Sequence, residues 1–323
     1  MSQLTYSAAF REGVREEMER NPAVFVVGTD LYDRGGHFAQ VKGLGPEFGR
    51  DRVRDAPISE AAMVAAGVGA AMSGARPIVD LNFDDFAFGA FDEIANQAAK
   101  IRYMWGRPVP LVIRATSGVA LGGAQHSNSM EMLLASIPGL AVVVPSTAAD
   151  AKGLIKSALR AEDPVVFLMH KKLTGVRGEV GGAEDLVPIG VARTDRSGDD
   201  VTIVSYSHGL VTARAAADQL ESQGASVDLI DVRTIYPLDE ETILASLRRT
   251  GRLVVVDEGP RFGSFGAQVA ALMQERAFWY LDAPIEVVAA QQAPIPHHPT
   301  LVDAILPSQA QVVAAAERTL RRS

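Results

Sequence analysis

The sequence predicts an α/β protein made of two parallel-sheet domains. Three observations carry that prediction. Short apolar runs alternate with longer helical segments over most of the chain, the signature of strands that feed crossover helices. The alternation breaks once, between Thr174 and Asp200, where Gly175, Gly178, Gly181, Gly182, Gly190 and Gly198 lie among charged residues. The composition of the 323 residues, 47% hydrophobic and 22% charged, is that of a globular protein with a sizeable core.

In chain order, the first segment, Met1 to Arg20, reads as an amphipathic helix bearing Arg11, Glu12, Arg15, Glu16 and Glu17. Strands follow at Val24–Val27, Pro77–Leu81, Val109–Arg114, Leu140–Val144 and Val165–Leu168. Between them, helices are expected at Glu60–Ser73, Phe86–Tyr103 and Ala148–Arg160, the last capped by Ser146 or Thr147 after Pro145. The glycine-rich stretch reads as an interdomain linker with one short strand, which divides the chain into domains 1–185 and 186–323. In the second domain, strands are expected at Val201–Ser205, Val227–Asp231, Arg252–Asp257 and Ile285–Ala289. Helices there are Leu210–Gln223, Asp239–Arg249 and Gln309–Leu320.

Several function classes are excluded at this level. The net charge of −8 and acidic pI leave no basic footprint for nucleic acid. The longest small-and-apolar stretch, Ala61 to Ala75, is too short to span a bilayer. With no cysteine there is neither disulfide, thiolate nucleophile nor cysteine-ligated metal, which fits a reducing, cytoplasmic setting. No side-chain constellation points to a protein-held metal.

Two residues stand out for chemistry. Glu60 follows Pro57-Ile58-Ser59, so with Ser59 as cap it falls in the first turn of a helix of small and apolar residues. It is either an acid favoured by the helix dipole, worth under about 1 kcal/mol, or a carboxylate at the edge of a tightly packed helix, able to share a proton. His126 lies in Gly122-Gly123-Ala124-Gln125-His126-Ser127-Asn128, a glycine-rich loop after a strand, at the sheet edge where ligands bind. It is either a loop histidine satisfied by Ser127 or Asn128, or a proton carrier. Phe83, Phe86, Phe88 and Phe91 crowd one segment and serve either as core or as a stack for a flat ring.

Together these segments resemble the β subunits of the 2-oxoacid dehydrogenase family, relatives of the C-terminal two-thirds of transketolase. The resemblance runs through Asp55-Ala56-Pro57-Ile58-Ser59-Glu60, Gly67 to Gly74, Phe91 to Lys100, Gln125-His126-Ser127, Pro138-Gly139-Leu140 and Asp150 to Leu154. In the second domain it continues through Val201 to Ser207, Asp231 to Asp239 and Asp282-Ala283-Pro284. It implies a transketolase-like pyrimidine-binding domain followed by a transketolase C-terminal domain. It further implies thiamine diphosphate bound between two chains, with the α subunit holding the diphosphate and Mg²⁺. Glu60 matches the glutamate that hydrogen-bonds the pyrimidine and promotes deprotonation of the thiazolium carbon. Phe86 matches the aromatic packed on that ring, Asn82 and Ile58 fall at cofactor-binding positions, and His126 matches a histidine suited to proton transfer or to meeting a lipoyl group. Asn82 stands where pyruvate-type members often have an apolar residue, and Met169 to Leu173 is closer to an acetoin-type loop.

The expected activity is that of a 2-oxoacid or acetoin dehydrogenase β subunit in an α₂β₂ heterotetramer. The expected partners are an α subunit, a second β chain and a lipoyl-bearing acyltransferase. The rival enzyme is the C-terminal half of a split transketolase that moves a ketol unit between sugar phosphates. A non-enzymatic α/β scaffold is the rival of a different class, against which Glu60 and His126 stand.

Overall fold

In a computed structural model, the structure describes residues 2–120 and 123–321. Met1 and Gly122, which fall in segments read from the sequence, lie outside the described residues. The elements begin with β1 (Ser2–Thr5), α1 (Tyr6–Arg20), β2 (Val24–Gly28), α2 (Leu44–Phe48), β3 (Val53–Asp55), α3 (Glu60–Met72) and β4 (Arg76–Phe83). A 3₁₀ segment (Asp84–Ala90) and a π-helical segment (Glu93–Ala98) lead to α4 (Ile101–Trp105) and β5 (Val112–Ser117). Next come α5 (Glu131–Ala135), β6 (Ala141–Val143), α6 (Ala148–Arg160), β7 (Val165–His170) and β8 (Arg177–Val180). The remainder holds β9 (Arg193–Arg196), β10 (Val201–Ser205), α7 (Gly209–Ser222), β11 (Val227–Asp231), β12 (Thr234–Tyr236), α8 (Glu240–Thr250), β13 (Leu253–Pro260), α9 (Phe265–Ala277), β14 (Glu286–Ala290), α10 (Pro299–Ile305) and α11 (Gln309–Leu320).

The chain divides into two units: residues up to Ser117 with Leu133–Ile189, and Gly118–Met132 with the chain from Gly190 onward. In the first unit the strands run in the order β6-β7-β5-β4-β2-β3, every pair parallel. A parallel sheet must be covered on its faces, which is why its strands read as apolar runs. One cover is α1 with α6. Phe10, Val14 and Met18 meet Leu154, Ile155 and Ala158 over Val24, Val26 and Phe167, all buried. Burying each such side chain fully contributes about 1.5–3 kcal/mol. The two helices approach closely at Gly13, where a Cβ would stand 2.7 Å from Ile155 Cγ2.

Ion pairs clamp the same helices. Lys152 Nζ lies 2.9 Å from Glu12 and 2.8 Å from Glu16, and Arg160 reaches Glu17 at 2.6 Å. A separate two-stranded antiparallel sheet pairs β1 with β8.

The second unit is a five-stranded sheet, β14-β13-β10-β11-β9, parallel except where β9 runs against β11. Leu210, Ala213 and Ala217 of α7 and Val312 and Ala316 of α11 close over it. No helix among the described residues is long and apolar enough to cross a membrane.

Four expectations are corrected. The helix expected over Met1 to Arg20 starts only at Tyr6. Thr5 caps it by accepting from the Ala8 N–H, and the residues before Thr5 are spent as a strand against Arg177–Val180. The single helix expected over Phe86–Tyr103 is three pieces of different pitch, with Gly89 and a π turn interrupting the α-helical ladder. The stretch from Thr174 to Asp200 contains two strands, β8 and β9, rather than one. Ser59 takes the position ahead of α3 without a side-chain capping bond. Thr147, by contrast, forms a full capping box with Asp150 at α6.

Candidate cofactor site at the carboxyl edge of the first sheet

In the first sheet the chain leaves β2 toward β3 on one side and β4 toward β5 on the other, so the carboxyl ends of β2, β3 and β4 border a topological switch point. The connections after β2, β3 and β4 carry most of the residues singled out from the sequence. Asp55, ending β3, accepts hydrogen bonds from the N–H groups of Leu31 (2.6 Å) and Tyr32 (3.0 Å) and so ties the first connection to the second. Five residues later Glu60 opens α3.

Glu60 is half-buried, and its carboxylate has no hydrogen-bond or ion-pair partner among the described residues. Gly89 of the 3₁₀ segment lies beside it, where an added Cβ would stand 3.8 Å from Glu60 Oε2. A Cβ there would make ordinary van der Waals contact with the carboxylate. Ile58 is 78% exposed two residues earlier.

The connection after β4 begins with a bulge. Asp80 is in register with Arg114 of β5, but the next pairing joins Phe83 to Thr116, so β4 holds one residue more than its neighbour. Asn82 sits in that bulge with a φ of 63°, a left-handed conformation uncommon outside glycine. Its carboxamide oxygen is buried with no hydrogen-bond partner, as is the Thr116 hydroxyl. Buried polar atoms are seldom left in this state.

Beside Asn82 the rings of His37, Phe38, Phe83 and Phe86 form a chain. Successive centroids are 4.8 Å (His37–Phe38), 5.6 Å (Phe38–Phe83) and 5.6 Å (Phe83–Phe86) apart, each pair edge to face. Lys171 Nζ stands 5.2 Å from the Phe83 centroid. Phe88, read as part of the same cluster, is exposed.

The structure therefore brings Glu60, Asn82, Phe83 and Phe86 to one edge, and adds His37, Phe38 and Gln40, which motif reading passed over. Asp80 and Arg114 were missed as well. Their signal was a charged residue inside each of two apolar strand runs, Ile78–Leu81 and Val112–Ala115.

His126 belongs to the segment Gly118–Met132, which is part of the second unit. It ends a short 3₁₀ turn, Ala124–His126, and is half-buried. Val119 anchors the segment at one end by packing with Ala290, Val302 and Leu306. Ser127 donates to the Ala120 carbonyl at 3.1 Å. In the same unit Tyr206 donates to Asp257 Oδ1 at 2.8 Å. Burial pushes the Asp257 carboxyl up, against the N–H groups of Gly266 and Gly259 and the Tyr206 hydroxyl, which favour its charged form.

A flat nitrogen heterocycle fits what the first edge offers: an unpaired carboxylate, an orphaned carboxamide oxygen and aromatic edges. Comparison with known proteins agrees with that chemistry. Residues 2–176 match the family described as transketolase, pyrimidine binding domain, and residues 190–312 match transketolase, C-terminal domain. The chain is 44% identical over 321 residues to a pyruvate dehydrogenase E1 component subunit beta of Rhizobium meliloti (98% of this chain, 70% of that protein). It is 42% identical to a 2-oxoisovalerate dehydrogenase subunit beta of Bacillus subtilis, over 98% of both chains. It is 43% identical to an acetoin:2,6-dichlorophenolindophenol oxidoreductase subunit beta of Cupriavidus necator, again over 98% of both. Among solved structures, a split gene transketolase described as an inactive beta4 tetramer superposes with a TM-score of 0.82 at 26% identity, covering 98% of each chain. The chain belongs to the family of E1 β subunits of the 2-oxoacid and acetoin dehydrogenases, built from the transketolase pyrimidine-binding and C-terminal domains.

Proposed function

We propose that this chain supplies the pyrimidine-binding half of a thiamine diphosphate site. With an α subunit it decarboxylates a 2-oxoacid, or cleaves acetoin, and passes the acyl unit to the lipoyl group of an acyltransferase in the cytoplasm. The observation that carries this reading is the unpaired, half-buried Glu60 carboxylate at the sheet's carboxyl edge.

Glu60 would hold a proton against a ring nitrogen of the cofactor, Phe86 would pack on the ring, and Asn82 and Ile58 would complete the wall. Thiamine diphosphate, when bound, supplies a nucleophilic carbon and an electron sink for breaking the bond next to a carbonyl. The protein's part is to orient the ring and to keep Glu60 placed for proton sharing. His126 would carry a proton during transfer to the lipoyl acceptor.

The diphosphate and its Mg²⁺ fall to the α subunit. Mg²⁺ sites combine carboxylates with ligand phosphate, and the nearest match here to the Gly-Asp-Gly segment used by thiamine diphosphate enzymes, Ser197 to Asp200, is occupied structurally. Asp199 pairs with Arg249 at 3.1 Å, Asp200 accepts from the Ser226 N–H, and Gly198 packs against the Val227 backbone. Exposed apolar side chains of the first unit support a protein partner: Ile58, Phe88, Tyr103 (93% exposed), Met104 and Trp105 (59%). The assembly we infer is a heterotetramer with a second β chain.

The split transketolase is the competing reading, since a protein of that name shares the fold at 26% identity. Identities of 42–44% to dehydrogenase β subunits favour the first reading. Glu60→Gln, reconstituted with the α chain, tests the assignment. Positioned proton-transfer groups contribute about 10²–10⁴-fold, so turnover should fall by that range while the fold is kept. A near wild-type rate refutes the role of Glu60. Ketol transfer to a sugar phosphate in place of lipoyl acylation refutes the dehydrogenase assignment.

A further inference from the structure

Asp80 is a carboxylate in the middle of an apolar strand, and both its oxygens are fully used. Oδ1 accepts the Asn82 N–H at 2.8 Å and Arg114 Nη1 at 3.2 Å. Oδ2 accepts Gln40 Nε2 at 2.7 Å and Arg114 Nη1 at 3.3 Å. Gln40 passes the contact on, since its own Oε1 accepts the Phe38 N–H at 2.9 Å. Gly36, with φ of 84°, leaves Gln40 its place, because a Cβ there would stand 2.2 Å from Gln40 Nε2. Asp80, Arg114 and Gln40 are all buried.

One carboxylate thus holds two parts of the site edge. It pins the left-handed turn of Asn82, a conformation that costs free energy unless its surroundings fix it. Through Gln40 it also fixes Phe38, whose ring meets Phe83 and His37. An ion pair kept for stability alone would need neither the bulge nor the link to Phe38. The orphaned Asn82 oxygen shows what the arrangement leaves over: a buried acceptor without a donor.

We propose that Asp80 is a positioning residue. Acting through Asn82 and through Gln40 and Phe38, it sets the wall of the cofactor site and leaves the Asn82 carboxamide oxygen to accept a hydrogen bond from the bound ligand. This rests on the reading of that edge as the thiamine diphosphate site.

The test uses the α–β complex with two double variants that both remove the ion pair. Asp80→Asn/Arg114→Met keeps an acceptor for the Asn82 N–H, and Asp80→Ala/Arg114→Met removes it. Affinity for thiamine diphosphate with Mg²⁺ is read by calorimetry, and the melting temperature is read without cofactor. The asparagine variant should bind within about threefold of wild type and the alanine variant about tenfold more weakly, the size of one lost hydrogen bond, with similar melting temperatures. Equal affinities in the two variants overturn the proposal. If the alanine variant does not fold, Gln40→Met leaves the ion pair standing and cuts only the link to Phe38. It should weaken binding about threefold, and wild-type affinity there overturns the proposal. A wild-type complex that fails to bind thiamine diphosphate overturns the cofactor reading, and this proposal with it. Binding by wild type with indifferent variants overturns the role of Asp80 alone.

Discussion

Substituting Glu17 by glutamine tests the clamp between α1 and α6. The Glu17 side chain is 1% exposed, yet each of its oxygens holds a guanidinium. Oε1 accepts Arg160 Nε at 2.9 Å and Nη2 at 2.6 Å, and Oε2 accepts Arg20 Nε at 2.8 Å and Nη2 at 2.6 Å. Burial opposes the charge of Glu17, but hydrogen bonds from Arg160 and Arg20 outweigh it and hold the carboxyl below its ordinary value of 4.5.

Removing one member of a buried pair costs about 3–5 kcal/mol. Here the arginine side chains are 43% and 27% exposed and can turn to water, which reduces the loss to about 2 kcal/mol. For a unit of this size that lowers the melting temperature by about 4–8 °C. The folded value lies below the unfolded one, so this stability is fully present above pH 4.5 and fades as pH falls through the folded value. Melting curves of wild type and Glu17→Gln at neutral pH and at progressively lower pH should show a gap that closes on acidification. A gap below about 1 °C at neutral pH, or one that does not narrow in acid, would refute the reasoning.

Three further outcomes are expected. His126→Ala should leave folding and thiamine diphosphate affinity intact and slow the overall reaction with a lipoyl acceptor, so an unchanged rate returns His126 to the role of a loop residue. The isolated chain should bind thiamine diphosphate and Mg²⁺ weakly in calorimetry and tightly only with an α chain, whereas tight binding and decarboxylation by the chain alone would contradict the half-site reading. Gly139→Ala should prevent stable folding, because Gly139 has φ of 103° and a Cβ there would stand 2.0 Å from the Ala99 carbonyl, and a variant that expresses and melts like wild type would show that the backbone gives way.

The strands were the most legible part of the chain. Buried parallel strands are apolar on both faces, so Val165–Leu168 and Leu253–Val256 read as uninterrupted runs with sharp polar ends. The phenylalanine segment was less legible. Aromatics three to five residues apart suit an α-helix, and spacing alone does not distinguish its pitch from the 3₁₀ and π turns that form. β1 was hidden because its partner, Arg177–Val180, lies far along the chain, and four residues carry no pattern of their own. The position of Glu60 could be read from the turn before it and the small-residue helix after it. The hub at Asp80 could not, since its meaning comes from Gln40 and Arg114, brought to it only by the folded sheet.

The pairing of β1 with β8 has a consequence for how the protein is made. Ser2 is in register with Val180, and Thr5 with Arg177. The hydroxyl of Tyr6 donates to the Pro145 carbonyl at 2.9 Å, and α1 docks on α6. β1 and α1 therefore have partners that leave the ribosome more than a hundred positions after them. Until α6 and β7 have emerged, the apolar face of α1 lacks most of its cover. Long-range closure of this kind slows folding and prolongs the exposure of sticky surface. The first unit therefore closes only when its last strand, β8, has been made, after the Gly118–Met132 part of the second unit has already emerged.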